Sequence, residues 1–512
     1  MRFLLHGAIF ASKVVKYPAE IRERKEGEKH MEIQILPLII VVAYLVGMLT
    51  VGAVVSKVQI KNAKDYMVAG RRMGLFMVAF SLSANNIGGG STTGLAQKAF
   101  GAWGISAIWY VLAASLAMIP LAYFAPKIRK TMAVTIPEVV GRRFGKLSSN
   151  FTAVLSVLSL FCLTSSQIGA SGAVINALIP SIPLNVCLLL AGFVTIFYTT
   201  FGGMIADQVS DLIQFGIILV GLAIATPIVL KYAGGWQAIS AALPGEKLNM
   251  TQIGWASIIG YFFNYFCTFL CGPEMVSRFE TCKDEKTAVR ASFLCAILMA
   301  AMSIFPTLLG LAAFALKDQL PGLAENGSNA MMVVTGAYAP GVITGLISAA
   351  IICATMSSAD SNLLCMSTMI INDIYPGFGG KKKLEDKQVI FYTRLCNVIA
   401  ALIAMGISMF GVSLVAMNTF AFGIRCAGPF AAYGLGLAVP KATKNSGMIS
   451  IFTGTIAFVV WQLLSNGGTL WFMMPVVFGS LVSVVTFYVV NLIEWKRGVP
   501  AAPSAYAVEE AK

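Results

Sequence analysis

A chain of 512 residues that is 57% hydrophobic and only 12% charged, with a mean hydropathy of +0.78, falls outside the composition of soluble globular proteins, which carry about a quarter charged residues. Its net charge of +14 would suit a nucleic-acid binder, but the basic residues are placed as membrane topology requires. The two histidines, His6 and His30, precede the first long apolar run, which leaves the membrane body without a His-based metal site or a Ser-His-Asp triad, and no C-x-x-C pair suggests a zinc module.

Residues 1–32 carry mixed charge and read as an extracytoplasmic tail, either disordered or an over-extended reading frame, since Met31 would make a natural start. With about 17 to 25 apolar residues needed per crossing, the spacing predicts about thirteen transmembrane helices. They lie near 33–56, 74–98, 104–126, 150–177, 184–202, 209–231, 252–278, 289–316, 335–375, 389–411, 413–438, 447–465 and 470–494. The ninth is too long for one straight span, so its end is expected to project into the cytoplasm. Alternate loops hold Lys57 to Arg72, Lys127 to Lys146, Arg278 to Arg290, Lys381 to Lys387, Lys441 with Lys444, and Lys496 with Arg497. The opposite loops have Lys98, Lys231, Lys247 and Lys317. The positive-inside rule then puts the N-terminus outside and the C-terminus in the cytoplasm of a multi-pass cell-membrane protein.

Five stretches interrupt the apolar pattern. In the second helix, Ser81 to Gly94 contains Asn85, Asn86 and three consecutive glycines, Gly88 to Gly90. These are poor helix formers, so at membrane depth they predict local unwinding with carbonyls turned into a cavity. Close helix packing through glycine is the competing reading. No Gly-Lys-Ser/Thr follows, which sets aside a phosphate loop. Next, Gly202-Gly203 opens a short cytoplasmic turn in which Asp207 reads as solvated or capping. Asp211 lies at the start of the sixth helix, where it either meets a cation or complements the helix dipole.

In the seventh helix Gly272-Pro273 forces a break, and an intramembrane Glu274 follows it. Tyr265 and Phe269, one turn apart before that break, are candidates for a cavity wall. Within the long ninth segment, Ala354, Ser357, Ser358 and Ser361 share one helical face beside Asp360. Such a face serves equally for close helix contact or for offering hard hydroxyl ligands to a small cation. Finally Arg425 in Phe422 to Pro429 needs a partner at membrane depth: Glu274, another internal acid, or an anionic group of a bound solute.

Together these motifs resemble the sodium:solute symporter family. The likeness runs from about residue 35 to 495 and rests on Ala84-Asn85-Asn86-Ile87, Gly202-Gly203 with Ser210 to Gln214, Gly272 to Arg278 with Lys283 to Ala288, and Met356 to Ser361 with Asn372 to Tyr375. The resemblance implies an all-α, LeuT-like fold of five plus five helices in inverted repeat. The divisions are 33–73 for the first helix and its basic loop, 74–231 for repeat one, 232–251 for an external loop and 252–438 for repeat two. Residues 439–495 then form two peripheral helices and 496–512 a cytoplasmic tail.

The resemblance also implies a main sodium site made by the carbonyls of Ala84, Ile87 and Ala354 and the hydroxyls of Ser357 and Ser358. A second site found in some members would fall on Asp211, Ser357, Asp360 and Ser361. Here Asp360 replaces a hydroxyl of some relatives. Ser91, Tyr265 and Phe269 fall where relatives touch solute, with Asn85 beside them. Gln167, Glu274 and Arg425 join as buried polar groups, and Gly272 stands where several members have Gln.

The expectation is therefore a sodium-coupled importer of a small organic solute, an amino acid or carboxylate favoured, embedded in the bilayer. It is expected to be no enzyme, to bind no nucleic acid and to have no obligate protein partner. Competing readings are proton coupling through Asp211, Asp360 or Glu274, and a solute sensor on a transporter-like core.

Overall fold

The computed structural model describes residues 35–179, 181–377, 384–410, 414–465, 470 and 473–506. The tail over 1–32 and Lys381 to Lys383 lie outside the described residues, as does the end of the C-terminal tail. Among the described residues, apolar stretches form helices that satisfy their own backbone groups, as lipid demands. Nine of these helices are long and apolar enough to cross a membrane, and two shorter apolar ones, Leu184–Phe197 and Trp255–Leu270, accompany them. The protein is a multi-pass membrane protein.

The first helix, α1 (Ile35–Gln59), is followed by the short α2 (Ala63–Val68), whose N-cap Asn62 accepts the Asp65 amide at 2.8 Å. The second predicted span is split into α3 (Leu75–Asn86) and α4 (Thr93–Phe100), separated by a non-helical Ile87-Gly88 and a single tight turn over Gly89–Ser91. Then come α5 (Trp109–Thr131), the amphipathic α6 (Ile136–Phe144) and α7 (Lys146–Leu178). The turn expected between the fifth and sixth spans narrows to one residue. Helix α8 (Leu184–Tyr232) bends at Gly203, with φ 60° and ψ 178°. A Cβ there would stand 2.8 Å from the Tyr66 ring, so both the backbone angle and the space require glycine.

After α9 (Gly235–Ala242), the seventh predicted span is again split, into α10 (Trp255–Leu270) and α11 (Pro273–Thr281). Pro273 occupies the first turn of α11, where a missing N–H costs nothing. The remaining helices are α12 (Glu285–Ala315), α13 (Ala330–Tyr338), α14 (Gly341–Met369), α15 (Asp386–Ser408), α16 (Leu414–Cys426), α17 (Lys444–Leu464) and α18 (Pro475–Lys496). The ninth segment does run on past α14, through a π-turn over Ile370–Ile374. Helix α14 is the most enclosed of the long spans, with 81% of its most apolar stretch buried. Its burial explains why the serine-rich face cannot be a lipid-facing surface. The break in α3/α4 packs against α7 and α14, and the break in α10/α11 against Arg425 of α16.

Candidate functional site

Polar groups at the first break meet α14, and the carboxylate after the second meets Arg425 of α16. At the C-terminal end of α3, the Ile87 amide closes the helix on the Ala84 carbonyl at 3.1 Å. Ile87 itself turns out of the helix, at φ −103° and ψ 80°, which points its carbonyl off the hydrogen-bond ladder. The Ser358 hydroxyl of α14 reaches the Ala354 carbonyl at 3.0 Å and the Asn85 carbonyl at 3.3 Å, so it bridges the unwound end of α3 and its own helix. One residue earlier, the Ser357 hydroxyl donates to Asp211 Oδ1 at 2.5 Å. That bond directs its proton away and leaves its lone pairs for a cation. Two hydroxyls and several carbonyls suit a small hard ion, and none of them titrates near neutrality. Of the donors expected for the main sodium site, Ser358 and the Ala354 carbonyl meet the end of α3 at the Asn85 carbonyl, and Ser357 beside them is bonded to Asp211.

The positions proposed for a second ion meet a different environment. Asp211 is fully buried and accepts from Ser81 Oγ at 2.5 Å, from Ser357, and from the Arg278 guanidinium at 3.2 Å. It lies beyond the first turn after the Gly203 bend, so it caps nothing. Asp207 is 1% exposed, where the sequence suggested a solvated or capping residue. It pairs with Arg278 at 2.6 Å and accepts from Ser361 Oγ at 3.0 Å. Arg278 also donates to Ser361 Oγ, to Ser81 Oγ at 3.2 Å and to the Glu274 carbonyl at 3.1 Å. Counted among the loop cations from sequence, Arg278 is instead fully buried. Its four-residue spacing from Glu274, on a helix launched by Pro273, was the signal that it turns inward. Asp360, 2% exposed, rests against Asp207 and Thr199.

Glu274 and Arg425 form a closed pair. Arg425 Nη1 reaches Glu274 Oε2 and Nη2 reaches Oε1, both at 2.6 Å, with Arg425 1% exposed. Of the partners open to Arg425 in the sequence, the structure selects Glu274. Gly272 makes room for the pair, because a Cβ there would stand 3.1 Å from Glu274 Oε1 and 3.2 Å from Arg425 Nη2.

Of the residues expected to touch solute, Gln167 and Ser91 lie at the first break, and Tyr265 and Phe269 run up to the second. The Gln167 side chain of α7 lies against Gly88, 3.1 Å from where a Cβ would stand. Ser91 Oγ donates to the Asn86 carbonyl at 2.9 Å, and Asn86 Nδ2 lies 3.3 Å from Met275 Sδ, tying the two broken helices together. Tyr265 and Phe269 are buried and in ring contact, with centroids 5.5 Å apart. Ser81, Asp207 and Arg278 were not among the site residues expected from sequence.

Two discontinuous helices, the first broken against an enclosed hydroxyl-bearing helix, define a cation-coupled transporter of LeuT-like fold. The profile of the sodium:solute symporter family matches residues 66–454. The chain belongs to the sodium:solute symporter family, and it is a sodium-coupled importer of a small solute. Among its relatives is a sodium/proline symporter from Staphylococcus aureus (strain bovine RF122 / ET3-1), 26% identical over 484 residues, which cover 90% of this chain and 93% of that protein. The substrate-bound, outward-open structure of a Na+-coupled sialic acid symporter, with a novel Na+ site, superimposes with a TM-score of 0.76 at 22% identity, covering 92% of this chain and 99% of the other. A nucleobase-cation-symport-1 family transporter, closed with bromovinylhydantoin bound, gives a TM-score of 0.56 at 15% identity, covering 87% and 98%.

Proposed function

We propose that this chain imports a small carboxylate-bearing solute, an amino acid or related anion, with one sodium ion per turnover. The observation that carries the sodium site is Ser358 bridging the Asn85 and Ala354 carbonyls. The carbonyls of Ala84, Ile87 and Ala354 and the hydroxyls of Ser357 and Ser358 hold the ion, which draws the end of α3 onto α14. Solute sits beyond it, on Asn85, Ser91, Gln167, Tyr265 and Phe269. Because α3/α4 carries ligands for both, the ion stabilises the conformer that the solute prefers. That differential is all that coupling requires, typically about 1 to 3 kcal/mol. The S. aureus relative named for proline supports an amino-acid solute, and the sialic acid symporter supports a carboxylate.

The ratio of one sodium is supported by Arg278. Its guanidinium already takes oxygens of Asp211 and Ser361, two of the four positions of the second site, as a tethered cation. The basic loops support an N-terminus outside and a C-terminus in the cytoplasm.

The experiment is sodium titration on purified protein and in proteoliposomes. Ser358→Ala removes one of about five oxygens. It should weaken sodium activation at least tenfold, while the protein still inserts and melts cooperatively. Unchanged sodium dependence in that variant would refute the site. A Hill coefficient of one for sodium is expected in the unaltered protein, and a value near two would refute the single-ion ratio.

A further inference from the structure

We infer that Lys98 is the cation that meets the negatively charged group of the solute, at the outer end of an aromatic wall leading to the first helix break; this rests on the symport reading above. Lys98 lies in the last turn of α4, the half of the first broken helix that follows the unwound segment. Its ammonium lies 4.0 Å from the centroid of the Trp103 ring and 5.1 Å from that of Tyr110. Among the described residues no carboxylate comes within ion-pair distance of it.

The rings that hold Lys98 continue inward. Tyr110 packs on Tyr265 with ring centroids 5.9 Å apart, and Tyr265 packs on Phe269 just before the α10 break. At the other break, a Cβ on Gly90 would stand 3.4 Å from the Tyr110 hydroxyl. One wall therefore connects the half-buried ammonium to both unwound segments. The other cations of the same core are committed: Arg425 to Glu274, Arg278 to Asp207 and Asp211, and Lys247 to the carbonyls of Phe100 and Gly101.

Aromatic faces attract cations, and here they hold one with no counter-charge. An incoming ammonium would find those faces occupied and be repelled. An incoming carboxylate would complete the pair in a partly desolvated site, where a charge-assisted hydrogen bond is strongest. The geometry thus selects an anionic or zwitterionic solute, and it moves the charge-reading role from Arg425 to Lys98.

The test uses the full-length protein in detergent, with sodium present, and paired probes read by thermal shift and by competition. The pairs are L-proline and L-prolinamide, pyruvate and pyruvamide, and N-acetylneuraminic acid and its methyl ester, with choline as a cationic control. At least one acid should bind roughly tenfold or more tightly than its uncharged or cationic partner. Lys98→Gln should erase that preference, Lys98→Arg should keep it, and 22Na binding should persist in both variants. Equal binding of acid and partner, recognition of choline, recognition of no acid in the panel, or an unchanged preference in Lys98→Gln would overturn the inference. If Lys98→Gln does not fold, the acid preference of the unaltered protein decides. An acid that binds equally well without sodium leaves the role of Lys98 standing and removes the sodium-coupled reading instead.

Discussion

Arg425→Gln offers the sharpest test of how the second helix break is held. The substitution leaves Glu274 as a carboxylate that is 6% exposed, with two hydrogen bonds of 2.6 Å gone and Arg278 bonded to its backbone rather than to its carboxylate. Removing one partner of a buried pair costs about 3 to 5 kcal/mol, because the survivor keeps its desolvation penalty without its counter-charge. At about 1.4 kcal/mol per factor of ten, the folded-to-unfolded ratio should fall by roughly two to almost four orders of magnitude. Replacing both residues, Arg425→Gln with Glu274→Gln, removes the orphaned charge and leaves two amides able to bond each other, so a large part of the loss should return. The assay is a double-mutant cycle on thermal or denaturant unfolding of purified protein, with sodium binding measured alongside. The reasoning fails if Arg425→Gln melts within about 0.5 kcal/mol of the unaltered protein, the range of an ordinary surface substitution. It fails equally if the double variant is no more stable than the worse single one. Retained stability with lost affinity for an acidic solute would return Arg425 to the solute.

Asp211→Asn keeps the shape but loses the charge that orients Ser357 and holds Arg278. Sodium affinity should drop severalfold with the Hill coefficient still one, and a wild-type sodium titration with only a lowered melting temperature would reduce Asp211 to a structural role. Gly203→Ala forces a Cβ to within 2.8 Å of Tyr66 at a positive φ, so unfolding should ease by about 1 to 3 kcal/mol, and an unchanged melt would show that the α8 bend tolerates repacking. Asp284 caps α12 by accepting the Thr287 amide at 2.6 Å, which lowers its carboxyl below the usual aspartate range. The cap's contribution is full above the unfolded-state value and is lost as pH falls through the folded one. Asp284→Ala should therefore cost about 0.5 to 2 kcal/mol at neutral pH and progressively less in acid. A destabilisation that does not change with pH would refute the carboxylate as the capping group.

Much of this protein follows from local pattern. In lipid the apolar runs can only be helices, Gly88-Gly89-Gly90 and Gly272-Pro273 cannot continue one, and the serines of the ninth segment share a face by helical period alone. The breaks and the hydroxyl-bearing face were therefore legible before any packing was known. What the sequence left open were choices between partners. Arg425 had an internal acid or a solute available, and only the approach of α16 to α11 gave it Glu274. Asp207 and Arg278 read as solvated residues of loops, because a few residues of chain do not say which way a helix end points. Burial of α11 and the bend at Gly203 turned both inward, onto Asp211 and Ser361. Lys98 passed as one of the few outer-loop cations until Trp103 and Tyr110 closed around it. Periodicity fixes which residues share a face, since it is a property of one helix. Whether a charge on that face finds a counter-charge, a ring or water depends on a second helix far away in the chain, and that is decided only when the helices pack.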